Sequence, residues 1–292
     1  MNLQRSRRKF GRKFLSRARY GITAAQYFQD AGVTDPTGRR EVGAFINTLR
    51  DLGLWQPTIL GMALASRHNA GTGTRAYAFR GAYGTLTNGP AWGTSGILMD
   101  GLTSTIDLST KALYAGTVKS AFMVMKVTAA PTLCNFALAV DDGTATGIQI
   151  GLRMYSGSLG DPGPGLYVTR GTIGSLNLAP GRNPLVNQWQ TFATSMDAST
   201  DQVYQNGALV TGGNRTSLPP VNPTGTPTTA AIGGGSGTGA CTQTAGVVLL
   251  FSSAITATTV AQLHEAVRQI LLPEIGLASL AGVPTDPPMI IA

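Results

Sequence analysis

Glutamate is nearly missing from this chain. Of 292 residues only Glu41, Glu265 and Glu274 are glutamates, and none lies between Val42 and His264. Glycoside hydrolases of the two-carboxylate kind need an acid and a nucleophile or base flanking one bond. The aspartates in that span, among them Asp141, Asp142, Asp161, Asp197 and Asp201, fall in predicted turns, where a carboxylate commonly hydrogen-bonds the backbone. No catalytic residue is assigned on this reading, and the chain is expected not to be an enzyme. Histidine is as scarce. His68 and His264 are the only two, too few for a His-rich metal site, so no metal ligand and no cofactor are assigned. Asp141-Asp142-Gly143 has the oxygen donors that calcium takes, yet a plain turn accounts for it. Cys134 and Cys241 are the only cysteines; they allow at most one disulfide, and two buried thiols are the expected state. No apolar run approaches the roughly 18 residues of a membrane span, so no membrane contact is expected. The N-terminus is basic, but Gly21-Ile22-Thr23-Ala24-Ala25-Gln26 is too short and polar to follow it as a signal-peptide core, and an export signal is not expected.

What the chain has is glycine and proline, 38 and 16 residues, beside only 12% charged residues. That balance suits a turn-rich all-β protein. The length allows one large domain with appendages, or two domains. Charge divides the chain sharply. Arg5, Arg7, Arg8, Lys9, Arg12, Lys13, Arg17 and Arg19 put eight positive charges in the first twenty residues, with no acid among them. The remainder carries 14 basic against 14 acidic residues, so the whole net charge of +8 sits on residues 1–22. Any nucleic-acid contact is therefore expected through this arm. Phe10 and Phe14 interrupt the charges at a spacing that shares one helical face. Three readings stay open: a solvated like-charge block, docking onto an acidic protein surface, or non-specific contact with nucleic acid.

Periodicity places the elements. Asp35-Pro36 reads as N-cap and first helical residue, and Val42, Phe45, Ile46, Leu49 and Leu52 follow at helical spacing until Gly53. A shorter helix is predicted around Ala24–Ala31, so residues 23–55 form a helical segment. It is too small to hold a core alone and should pack on the remainder or on a neighbour. From Thr58 onward the pattern is β. Tyr77-Ala78-Phe79 reads as a short strand, and Arg67 to Thr74 as a polar loop. Ala121-Phe122-Met123-Val124-Met125 is continuously apolar, as a strand covered on both faces would be. Ile148, Ile150, Leu152 and Met154 alternate with Gln149, Gly151, Arg153 and Tyr155. Gly165–Thr169 reads as a further strand. Asn206-Gly207 between apolar arms predicts a type I′ hairpin. A last helix carries Val260, Leu263, Val267, Ile270 and Leu271 on one face, and residues 273–292 read as an extended tail.

The order of Trp189, the Asp-rich turn at 197–201, Tyr204-x-Asn206-Gly207, Ile232-Gly233-Gly234, the strand Val247–Phe251 and a closing helix resembles the laminin-G/concanavalin A-like jelly rolls. The opening strands, Leu86-Thr87-Asn88-Gly89-Pro90-x-Trp92 and Gly96-Ile97-x-x-Asp100-Gly101, look like the modules of this kind in bacteriophage particle proteins. The resemblance implies an antiparallel two-sheet sandwich over residues 56–272, including the terminal helix. It also implies a multicopy virion structural protein, anchored by Arg5, Arg7, Arg8, Lys9, Phe10, Arg12, Lys13, Phe14, Arg17 and Arg19. A tail-associated appendage or fibre is the preferred placement, with capsid decoration or a free carbohydrate-binding module as alternatives. Its partners would be other virion proteins and a host surface glycan. Tyr155, Tyr167 and Trp189 are the candidate glycan contacts.

Overall fold

The computed structural model describes residues 24–100, 103–108, 118–128, 135–141, 148–155, 165–171, 176–180, 187–196, 201–210, 229–233 and 242–280. The basic arm, both cysteines, Asp142, Asp161, Asp197 and the tail from Gly282 lie outside these residues. Strands are numbered in chain order. One eight-stranded sheet runs β14 (Ala208–Leu209), β13 (Asp201–Gln205), β12 (Trp189–Met196), β7 (Ser120–Val127), β16 (Thr242–Phe251), β5 (Gly96–Asp100) and β4 (Ala91–Gly93), with β1 (Thr58–Ala63) also on β16. The second, also of eight strands, runs β11 (Leu176–Pro180), β10 (Gly165–Gly171), β9 (Ile148–Tyr155), β8 (Asn135–Asp141), β15 (Thr229–Ile232), β6 (Thr105–Asp107), β3 (Gly84–Thr87) and β2 (Arg75–Ala76). Every described pairing is antiparallel. The protein is an all-β sandwich with a short helical segment.

Strand β7 shows why its sequence has no polar alternation. Successive side chains point to opposite faces, and here both faces are covered. Met123 and Met125 join Met62, Met99, Phe192 and Leu250 of the first sheet against Leu86, Ile106 and Ile232 of the second. Phe122 and Val124 point the other way, into a second core with Ala193, Tyr204, Val247 and Leu249. That outer core is closed by helices α1 (Ala24–Asp30), α2 (Pro36–Asp51) and α3 (Ala257–Ala266), the last running on through a π turn at Val267–Leu271. Layers therefore run helix, first sheet, second sheet, and the helical segment packs on its own sandwich.

Local chemistry sets the ends. Asp35 caps α2, its side chain accepting from Thr37 N at 3.0 Å, and Val42, Phe45, Ile46 and Leu49 are buried. Asn206 and Gly207 hold φ of 50° and 76°, the two positive values of a type I′ turn, and Tyr204 faces Leu209 across it. The expected strand at Tyr77–Phe79 is not one: β2 ends at Ala76. The cause is the Phe79 ring. It lies over Gly61, where a Cβ would come within 2.3 Å of it, and it meets Tyr27 and Phe45 edge-on. The chain leaves the second sheet so that this ring can enter the helical core.

Candidate functional site

The densest polar constellation among the described residues joins α2, the loop after β1 and the end of the chain's helical layer. Glu41 sits beside the apolar stripe of α2. Its Oε2 accepts from Arg67 Nε at 2.8 Å and lies 2.7 Å from His68 Nε2. The same guanidinium turns both Nη groups onto Glu274, Nη1 to Oε1 and Nη2 to Oε2, each at 2.8 Å, the two-pronged geometry that suits arginine. Next along the loop, Asn69 stitches the chain: its Nδ2 donates to Ala63 O at 2.9 Å and Tyr77 O at 2.7 Å, and its Oδ1 accepts from Tyr77 N at 2.8 Å. Tyr27 of α1 donates to His68 O at 2.5 Å. Gly38 lets the loop come this close, because a Cβ there would lie 2.2 Å from Arg67 O.

Burial by itself would raise the carboxyl pKa of Glu41. Hydrogen bonds from His68 and Arg67 and the charge of Arg67 outweigh it, so the net shift is downward. Glu274 follows the same course through its bonds to Arg67. Hydrogen bonding to Glu274 is the main reason Arg67 holds its proton more tightly than a free arginine. Through these bonds the ionised groups clamp helix, loop and C-terminal segment together. Sequence reading passed over the Arg67–Asn69 run as a polar loop. The available signal was Gly38, a lone glycine on the buried face of a helix, which marks close approach of another backbone.

A second polar set straps the residues after the π turn onto the first sheet. His264 is buried, with Nδ1 2.8 Å from Thr191 Oγ1 of β12 and Nε2 2.8 Å from Ala278 O. A carbonyl only accepts, so Nε2 donates. Glu265 Oε1 accepts from Leu280 N at 2.9 Å, and its Oε2 is paired with Arg268 at 2.7 Å. The strap passes over the Asn206–Gly207 hairpin, where Leu280 would meet a Cβ on Gly207 at 2.5 Å.

The expected glycan contacts do not form one cluster. Tyr155 ends β9 and Tyr167 lies in β10, on neighbouring strands of the second sheet, with Tyr167 opposite Arg153. Trp189 opens β12 in the first sheet. It packs against the helical core, with Lys126 Nζ 5.7 Å from its ring centroid. Asp141 ends β8, and among the described residues no group of three or more His, Cys, Asp or Glu is gathered for a metal. The arm residues Arg5 to Arg19 fall outside the described residues.

No protein-family model matches this chain, and no curated protein matches it. Solved structures do. The fold is similar to that of a Trypanosoma rangeli sialidase in complex with sialic acid, with a TM-score of 0.53 and 15% identity, over 76% of this chain and 34% of the sialidase. It is also similar to a mutant of Trypanosoma rangeli sialidase displaying trans-sialidase activity, with a TM-score of 0.57 and 12% identity, over 79% of this chain and 39% of that one. The chain thus spans less than two fifths of these sialidases, and at such identities the likeness is one of fold. It nonetheless overturns the expectation that the chain is not an enzyme. The solved structures that share this fold are sialidases.

Proposed function

We propose that the chain is a structural protein of a bacteriophage particle, held by its arm and helical side, with the second sheet of a lectin-like sandwich turned outward toward a host surface glycan. A tail-associated appendage is the placement we favour. The one-sidedness of the sandwich carries this reading. Helices α1, α2 and α3 cover the first sheet, and the arm leads directly into α1 at Ala24. Among the described residues no helix belongs to the core that the second sheet shares. On this reading attachment and display fall on opposite sides of the sandwich. Tyr155 and Tyr167 belong to strands of the second sheet, and Trp189 to the first. The sialidase folds support a saccharide as the displayed sheet's ligand class.

Single cysteines test the orientation. Asn47 is exposed on α2, and Thr87 is exposed on β3 of the second sheet. Asn47→Cys and Thr87→Cys proteins would be labelled with a maleimide, free and after assembly into particles, against the background of the native chain. Thr87→Cys should label in both states and Asn47→Cys only in the free protein. Equal labelling of Asn47→Cys in particles refutes attachment through the helical side.

A further inference from the structure

The neutral sum of residues 23–292 hides an uneven distribution. Residues 1–80 hold 14 basic against 4 acidic residues, a net +10, while residues 81–292 hold 8 against 10, a net −2. Within the helical side the acids are largely turned to structural work. Asp35 caps α2, Asp30 accepts from Gln26, and Glu41 is bound to Arg67 and His68. Asp51 is exposed, at the end of the helix.

The arginines are presented and braced. Arg39 Nε donates to Val33 O at 2.7 Å, and its guanidinium lies 5.8 Å from the Phe28 ring centroid. Arg50 Nη1 donates to Asn47 Oδ1 at 3.0 Å, with its guanidinium 5.0 Å from the Trp55 centroid. Arg80 approaches the same indole at 5.1 Å while its Nε donates to Thr58 O at 3.1 Å. Burial depresses the Arg80 pKa, and among the described residues no carboxylate counters it. Arg40 is exposed. Eleven residues of helix bring Arg50 back to the side of Arg39, about 16 Å away along the axis, and Trp55 carries the row on to Arg80.

We propose that Arg39, Arg40, Arg50 and Arg80 form a nucleic-acid-binding face that takes backbone phosphates without reading bases. This names a partner for the attachment side and rests on that reading only for its setting, because binding is measured in solution, apart from any particle. A duplex offers one negative charge per roughly 1.7 Å of axis, a density that can occupy the whole braced row. Guanidinium groups held by rings and carbonyls lose little freedom on binding, and their planar fork matches a phosphate. Trp55 is buried and the half-buried Phe28 ring is already engaged by Arg39, so neither ring of the row is offered for stacking on bases.

The test is fluorescence anisotropy with the full chain and a labelled 24-base-pair duplex between 50 and 200 mM salt. Each phosphate contact contributes about 0.9 to the slope of log affinity against log salt. The pairs Arg39→Gln/Arg40→Gln and Arg50→Gln/Arg80→Gln should each flatten the slope by about 1.8, so that each loses roughly tenfold less affinity over that range than the native chain. Two duplexes of unrelated sequence should bind alike. The first pair lies on the exposed side of α2 and keeps the test decisive even where the second lowers the melting temperature. An unchanged slope in the first pair overturns the proposal, since the arm alone would then carry the binding. Polyglutamate outcompeting the duplex at equal charge also overturns it, in favour of an acidic protein partner.

Discussion

Replacing Glu41 tests the clamp that fastens α2 to the body of the protein. The Glu41 side chain is 12% exposed, Arg67 22%, and His68 fully covered. Removing one partner from a buried ionic group costs about 3–5 kcal/mol. Arg67 keeps its two bonds to Glu274, so Glu41→Ala should fall at the low end, about 3 kcal/mol. Glu41→Gln leaves an oxygen where Oε2 stood but removes its charge, and charge-assisted bonds are about twice as strong as neutral ones. Two weakened bonds then amount to about 1–3 kcal/mol. For a chain of this size a kilocalorie moves the melting temperature by about 2–4 °C. Calorimetry at pH 7 should therefore show drops of about 6–12 °C for Glu41→Ala and less for Glu41→Gln, while Asp51→Ala, on the exposed end of α2, should stay within about 0.5 kcal/mol. The pH dependence carries the sign. The Glu41 carboxyl titrates below its unfolded value of about 4.3, so its stabilisation is complete above that pH and is lost as pH falls through the folded value. The gap between native protein and Glu41→Gln should narrow progressively as pH falls below about 4.3. Equal melting temperatures at pH 7, or a gap that does not narrow as pH falls below the unfolded value, would refute the ionised clamp.

Truncating Phe122, which is fully buried on the helix side of β7, should cost about 3–5 kcal/mol; a small change in chemical denaturation would show that the helical layer is not part of the folding core. Gly207→Ala should destabilise by more than the usual surface change, because φ is +76° and the added Cβ meets Leu280 and His264; a neutral result would contradict the strap over the hairpin. His264→Leu removes the bonds to Thr191 and Ala278 O and should speed protease cleavage near residue 278, with cleavage at native rates counting against the strap. On a glycan array, Tyr167→Ala should weaken binding and Trp189→Ala leave it unchanged, and the reverse order would move the ligand face to the other sheet.

What could be read locally was read well. The N-cap and apolar spacing of α2, the Asn206–Gly207 turn and the doubly covered β7 each depend on residues within a few positions of one another, and each stands in the structure. Pairings over long separations left no such mark. Arg67 meets Glu41 and Glu274 across 26 and 207 residues, and nothing in the polarity of the loop points to either. Tyr77–Phe79 has strand-like composition, yet one aromatic ring seated on Gly61 decides its path. Tyr155, Tyr167 and Trp189 look equivalent as strand aromatics, and only sheet topology separates them.

The charge pattern shows how far a sum can mislead. A net of zero beyond the arm describes a body with no electrostatic preference only if its charges are spread evenly. Folding spends the carboxylates of the helical segment on a cap, a clamp and a side-chain bond, while the neighbouring arginines are braced at its surface by Phe28 and Trp55. The result is a polarity that the composition does not contain: a basic helical side, behind a sandwich whose other sheet has no helical cover among the described residues. If the arm alone were the anchor, α2 would have no reason to hold its arginines in place. Their bracing gives the helical side a positive surface of its own, which is what the salt-slope experiment reads.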